Sequence, residues 1–254
     1  SDIFLGIEGE KKEKDNIKYI LENCDGFFAD CKRDVNIAKK NGVGRSNVKF
    51  AVAVPGTGGL NLNLFKNHRK LNQNRNIILI PKGFEREHAN KIFPLLESIK
   101  LLEKHLLNYE IHFLMVSDAV KKWIRKLSFN KNIHIYTHDM ISQSNFFELL
   151  SRTKLMISLS LSDGTPNVML EAMAAGALPV MHPLDSIKEW IKDGKNGILV
   201  HCLYPNEIKE AILKGLKNDQ FYENAILNNF QLIEQKADRK ILKKKIIEYY
   251  EELF

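Results

Sequence analysis

Short, continuously apolar runs alternate with longer amphipathic ones along most of the chain. The apolar runs are "DGFFAD" (25–30), "VKFAVAV" (48–54), "IILI" (77–80), "IHFLMV" (111–116), "NIHIYT" (132–137), "KLMISLS" (154–160), "ALPVM" (177–181) and "NGILV" (196–200). Such continuity predicts strands covered on both faces, as in a parallel sheet. Between them, residues 31–42, about 88–105, 119–127, 144–153, 185–194 and 205–218 read as helices. Ser144 is the expected N-cap of one helix and Pro205 opens another, while Gly42 and Gly194 are expected to end theirs. The remainder, through "KILKKKIIEYYEELF", reads as helical. "PGTGGLNLNLF" (55–65) reads as a glycine-rich hinge, and "HRKLNQNRN" (68–76) as a polar linker.

This alternation predicts an α/β protein with a doubly wound, Rossmann-like parallel sheet and helices on both faces. Six strands follow residue 76, enough for one complete domain. Only two precede residue 55, too few for an independent core. The expected organisation is a remnant of a second Rossmann-like domain plus hinge over 1–66, the complete domain over 67–232, and a helix over 233–254 packing across the junction. That last helix carries Leu242, Ile246, Tyr249 and Leu253 on one stripe, with Lys243, Lys244 and Lys245 elsewhere around it. The stripe suits either the domain junction or a membrane surface.

Composition narrows the classes. With 44% hydrophobic and 27% charged residues, the chain should bury a core rather than stay disordered. No apolar run reaches the length of a membrane span, and the opening residues contain no signal-peptide core. Cys24, Cys31 and Cys202 are scattered and lack metal spacing, as expected for reduced thiols in a cytoplasmic protein. The net charge of +7 suits a nucleic acid, an anionic membrane or a phosphorylated substrate, or simply a solvated lysine-rich surface. Zinc-finger, helix-turn-helix and RNA-binding signatures are missing, which argues against nucleic acid. So are the P-loop, the G-x-S-x-G elbow and the Asp-x-Asp pair, so the sequence itself calls for no metal and no cofactor.

The candidate chemistry lies in "LSDGTPNVMLEAMAAGALPV" (161–180). Asp163 and Gly164 form a turn after a strand, Thr165 suits an N-cap, Pro166 suits the first helical position, and Gly176 ends the helix. Ligands of doubly wound sheets bind beyond the carboxyl ends of strands, and a helix start there suits a diphosphate. Glu171 sits among Val168, Met169, Leu170, Ala172 and Met173, where a carboxylate is costly unless something meets it. It lies five residues past Pro166, about 7.5 Å along the axis, and helical side chains lean toward the N-terminus. It can therefore reach a ligand at the turn, where vicinal ribose hydroxyls would donate to its two oxygens. Two plainer readings stand beside this one: Glu171 pairs with a core cation, and Asp163 merely complements the helix dipole.

This run resembles the donor-site signature of family-4 retaining glycosyltransferases of the GT-B fold: an acid, seven residues, a glutamate, then an Ala-Met-Ala run, glycine and Pro-Val. Here these are Asp163, Glu171, "AMAAG" and "LPV", with aspartate where many relatives carry a glutamate one methylene longer. "WIKDGKNGILV" (190–200), the stretch from 132 to 160, "CDGFFADCKRD" and "VAVPGTGGLNLNLF" resemble the family's flanking segments. The resemblance implies a nucleotide-diphosphate sugar donor such as a UDP- or GDP-sugar, with Glu171 on the ribose and Asp163 on the transferred sugar. Gly164, Thr165, Pro166 and Asn167 would then surround the sugar and phosphate. It also implies an Arg and a Lys on the diphosphate in the loop "PKGFEREHANK", where Lys82 and Arg86 are nearest, with spacing off by about one residue. His138 either touches the base through its backbone or is a plain loop histidine.

The implied activity is retaining transfer to a glycan or lipid-linked acceptor in surface polysaccharide or glycoconjugate synthesis, in the cytoplasm or at the inner face of the membrane. The chain would be mainly the donor-binding half, lacking ~100–150 residues of acceptor domain on its N-terminal side. The alternatives are a non-catalytic nucleotide-sugar-binding subunit and a GT-B-like sugar-nucleotide epimerase.

Overall fold

A computed structural model describes residues 11–43, 48–56, 58–69, 74–86 and 89–254. Two parallel sheets organise the chain. In the smaller, β1 (Gly26–Ala29) pairs with β2 (Phe50–Ala53), flanked by α1 (Lys11–Asn23) and α2 (Lys32–Lys40). The larger holds β3 (Ile77–Ile80), β4 (Glu110–Leu114), β5 (His134–His138), β6 (Thr153–Ser158), β7 (Leu178–Met181) and β8 (Ile198–Leu199). Its order is β5-β4-β3-β6-β7-β8, with every pair parallel. The chain winds outward from β3 in one direction, returns, and winds outward from β6 in the other. The crevice between β3 and β6 is therefore the topological switch point, where open α/β sheets bind ligands.

Strand alternation sorts the core into two layers. Ile78, Ile80, Ile111, Phe113, Leu155 and Ile157 point to the face covered by α3 (Phe93–Leu101) and α8 (Pro205–Lys217). Ile77, Leu79, Leu114 and Met156 point to the face covered by α5 (Gln143–Arg152), α6 (Asn167–Ala175) and α9 (Asp219–Lys236). Helix α6 is enclosed almost all round, with Met169, Leu170, Ala172, Met173, Ala174 and Ala175 fully buried. That is why its sequence shows so little amphipathic contrast.

Four local expectations change. The helix expected from about residue 88 starts at Phe93, because the Glu85 carboxylate accepts from the Ile92 and Phe93 amides at 2.7 and 3.3 Å and caps it there. Residue 88 itself lies outside the described residues. Ser142 caps α5, accepting from Asn145 N at 3.2 Å, while the Ser144 hydroxyl is bonded to that of Ser142. The expected helix over 185–194 is the single turn α7 (Asp185–Lys188). Asn196 accepts from Lys192 N at 2.7 Å and donates to Trp190 O at 2.9 Å, drawing the segment off a helical path, and Gly194 takes φ +68° in the following turn. Finally, the polar linker conceals Arg75, which is buried and donates to the carbonyls of Leu150, Thr153 and Ala175 at 3.3, 3.1 and 2.7 Å.

The two sheets are joined by the glycine-rich segment expected to be a hinge and by the terminal helix α10 (Arg239–Glu251). Tyr249 packs its ring on Phe50 and Phe28, with centroids 5.3 and 6.1 Å apart, and Leu242 is buried. The apolar stripe of α10 thus serves the smaller sheet, leaving Lys243, Lys244 and Lys245 exposed. No helix among the described residues is long and apolar enough to cross a membrane. In that segment, Gly56, Gly58 and Gly59 have φ of +63°, +93° and +90°, and Leu60 N donates to Ala237 O at 2.7 Å. A Cβ on Gly59 would lie 2.7 Å from that same carbonyl, whereas one on Gly58 would meet nothing closer than Ile246 at 3.8 Å. Gly59→Ala should therefore cost about 1–3 kcal/mol and lower the melting temperature by several degrees, with Gly58→Ala costing less. Equal melting curves for the two variants would refute the close-approach account.

Candidate functional site

The strands on either side of the switch point deliver two loops into one crevice. The loop after β6 carries Asp163 and the loop after β3 carries Lys82. Lys82 Nζ lies 2.5 Å from Asp163 Oδ2 and 3.0 Å from Ser160 Oγ. The structure thus brings together the acid and one of the two cations singled out from the sequence. Asn90 fastens the β3 loop: its side chain donates to the Lys82 carbonyl at 3.2 Å, and its backbone bridges both Arg86 and Ser160. Arg86 is therefore held at the crevice edge through backbone bonds of 3.0 and 2.9 Å with Asn90.

The turn before α6 departs from the expected capping. Thr165 is buried and its hydroxyl donates to the Asp30 carbonyl, at the end of β1, at 2.8 Å. Spent there, it does not cap the helix. Pro166 occupies the N-cap position, where it supplies no side-chain cap, and Asn167 begins the helix. The first turn brings backbone N–H groups and the positive dipole end to the crevice. Gly164 lies against Asp30, where an added Cβ would sit 3.4 Å from that carboxylate. Burial, with Asp34 and Asp163 nearby, pushes the Asp30 carboxyl above its usual range. Ser186 donates to the Asp163 carbonyl at 3.0 Å, and Glu189 accepts from the Lys32 and Arg33 amides at 2.9 and 3.3 Å, capping α2 across the crevice.

Glu171 is the unusual member. It is half-buried on α6 and makes no hydrogen bond or ion pair among the described residues. Burial alone pushes its carboxyl up to about 7. The buried core cation, Arg75, lies at the other end of α6 and is engaged with carbonyls. Three residues before Glu171, on the same helix face, Val168 lines a cavity of about 350 Å3. Its other walls include Pro81, Lys82, Leu114, Met115, His138, Met140 and Phe146. Met115 and Met140 are exposed at this cavity, and Met115 holds φ +54°, a left-handed conformation that a side-chain-bearing residue adopts at a cost. A cavity of similar size beside α1 and β1 is lined by Ile17, Leu21 and Phe27 and contains neither Lys82 nor Asp163. Among the described residues, no three His, Cys, Asp or Glu side chains are placed to hold a metal ion.

Several residues at the site carried no motif. Ser160, which positions Lys82, left a trace only in the Ser158–Ser160 alternation at the strand end. Asn90 and Ser186 act through side-chain hydrogen bonds to carbonyls, Asn90 to those of Lys82 and Phe84 and Ser186 to that of Asp163, which no spacing rule reveals.

The family description "Glycosyl transferases group 1" matches residues 63–231. The N-acetyl-alpha-D-glucosaminyl L-malate synthase of Bacillus anthracis is 27% identical over 128 residues, covering 50% of this chain and 33% of that protein. HepE from Anabaena, in complex with UDP and glucose, superposes with a TM-score of 0.76 at 13% identity, over 98% of this chain and 70% of that one. A point mutant of S. aureus TarM, in complex with fondaparinux, alpha-GlcNAc-glycerol and UDP, gives a TM-score of 0.73 at 20% identity, over 95% and 46%. The chain thus spans a third of the synthase and under half of TarM, and it shares the α/β GT-B architecture of the solved structures. On the strength of a match across most of its length, the chain belongs to the glycosyl transferases group 1 family.

Proposed function

We propose that this chain binds a nucleoside diphosphate sugar at the switch point and serves in transfer of the sugar, with retention of anomeric configuration, to a glycan or lipid-linked acceptor. The observation that carries this reading is the Glu171 carboxylate, without a partner among the described residues, one helical turn from Val168 on the wall of a cavity of about 350 Å3. A group so costly to keep without a partner is accounted for by a ligand that supplies the missing donors. Ribose hydroxyls do so, with the base in the cavity past Val168 and the diphosphate over the start of α6. Lys82 then stands between the diphosphate and Asp163. On binding, it turns toward the phosphates and stabilises the charge that grows on the leaving group, while Asp163 is released to accept from sugar hydroxyls. A donor phosphate oxygen takes the acceptor proton. The acceptor approaches from the β1–β2 side, where Asp30 faces Gly164. The division at about residues 66 and 232 follows from this reading, with the first segment and α10 supporting the complete domain.

Titration calorimetry of the full chain with UDP, UDP-glucose, UDP-N-acetylglucosamine and GDP-mannose tests the proposal, followed by a transfer assay. Binding of none of them would end it. Binding without transfer would leave a nucleotide-sugar-binding subunit. Glu171→Gln should weaken nucleotide binding about 10- to 100-fold, the worth of losing charged hydrogen bonds. Since ribose donors favour the ionised carboxylate, wild-type affinity should rise with pH up to about 7 and level off above it, and the variant should lose that slope. Lys82→Met should weaken binding of UDP much more than binding of uridine.

Stability should move the opposite way. The folded-state value of Glu171 is raised from 4.5 to about 7, so burying its charge penalises the ligand-free wild type increasingly between those values and constantly above them. Glu171→Gln should melt at the wild-type temperature near pH 4.5 and at a higher one at pH 8. A lower melting temperature at pH 8 would show that the side chain has a structural partner after all.

A further inference from the structure

A line of polar side chains runs under the cavity along one face of β4 and β5. Glu110 and His112 share that face with Leu114, and His138 stands at its upper end, register-paired with Leu114. Arg152 and Asn76 both donate to Glu110 Oε1, Asn76 at 3.2 Å. Burial works to raise the Glu110 carboxyl, but the hydrogen bonds from Arg152 and His112 outweigh it and hold it below the usual range. Its second oxygen lies 3.2 Å from His112 Nε2, and His112 Nδ1 lies 3.0 Å from His138 Nε2. His112 is buried, with the Tyr136 ring stacked against it at 4.6 Å and the His138 ring nearly parallel at a centroid distance of 5.2 Å, meeting it edge to edge through the two nitrogens.

These contacts leave one arrangement of protons. Ionised Glu110 can only accept, so His112 Nε2 carries a proton. Burial pushes His112 below its ordinary value, outweighing the Glu110 hydrogen bond, so at neutral pH the ring is uncharged and Nδ1 holds a lone pair. His138 Nε2 must therefore donate to it. In neutral His138 the remaining nitrogen, Nδ1, is then an acceptor, and it has no partner among the described residues. The His138 carbonyl already accepts from Val116 N at 3.3 Å. The half-buried ring lines the same cavity as Lys82 and Val168.

We infer that His138 reads the nucleobase of the donor through Nδ1, and that Glu110 and His112 fix it as an acceptor, selecting bases that carry a ring N–H. The inference rests on the nucleotide reading of the site. Uracil and guanine have such an N–H on the edge opposite the glycosidic bond, whereas cytosine and adenine have a lone pair there. The wrong class sets two acceptors face to face and leaves a desolvated lone pair unmet, and a site built around a hydrogen bond rejects such analogues strongly. His112 is a positioning residue: it touches no ligand and acts by setting the tautomer of His138.

Uridine and cytidine diphosphates are nearly the same size and differ at this edge, so they form the diagnostic pair. Calorimetry on the full chain at pH 7.5 should show UDP binding at least about tenfold tighter than CDP, and GDP tighter than ADP. His138→Phe should bring the UDP/CDP ratio close to one. His112→Phe should lower the ratio with His138 still in place. His112→Gln, which can accept from His138 and donate to Glu110, should restore much of it. Nitrogen-15 imidazole spectra of the unliganded wild type should show both histidines protonated at Nε2 and bare at Nδ1. Equal affinity for UDP and CDP, or an Nδ1–H tautomer at His138, overturns the inference even if the variants fold poorly. If Glu171→Gln still weakens UDP binding in that case, the nucleotide reading survives alone; if no nucleoside diphosphate binds, both fall.

Discussion

The guanidinium of Arg75 is the contact on which the site depends. Three backbone carbonyls accept from it, one near the end of α5, one at the start of β6 and one at the end of α6. Burying a cation is costly, but orphaned carbonyls and the negative ends of two helices offset the loss of water. Tyr222 donates to the neighbouring Gly176 carbonyl at 2.7 Å, and at Gly176 a Cβ would sit 2.8 Å from the Arg75 guanidinium. The C-terminal end of α6 is thereby pinned from below. Its N-terminal end faces the switch point, so the pinned end and the end at the crevice belong to one short helix.

The charges at the crevice are held in two ways. Lys82 and Asp163 meet each other, which keeps both loops in place before any ligand arrives. Glu171 meets no donor among the described residues and carries the cost of burial. The first arrangement holds the fold together and the second costs it stability. Under the proposed nucleotide reading, a substitution that relieves that cost also removes a contact to the ligand. The exposed Met115, held at positive φ on the cavity wall, belongs to the same pattern.

The larger sheet was readable from the chain because most of its strands are continuous apolar runs, as a doubly covered parallel sheet requires; β5, at the sheet edge, departs from this and is largely exposed. The pairing of Lys82 with Asp163 was half-readable: each residue follows a strand, but their closeness depends on β3 and β6 being neighbours, which strand order decides and local pattern does not. Arg75 was hidden because a buried arginine in a run of Asn, Lys and Gln looks like a solvated one. His112 was hidden for a similar reason. It interrupts the apolar run of β4, and its worth lies in Glu110 two residues before it and His138 on the next strand. Helix ends shifted where the cap was not the one expected: Glu85, from an earlier loop, caps α3, and Ser142, two residues before the expected Ser144, caps α5.

Gly56 sits where an added Cβ would be 3.1 Å from Leu170 and 3.5 Å from Asn167, both on α6. The glycine-rich segment after β2 therefore rests on the side chains of the first turn of the helix carrying Glu171. Thr165 ties the same turn to the end of β1. A side chain at position 56 would press on the start of α6 before anything else, so the smaller sheet and the candidate site share one packing boundary.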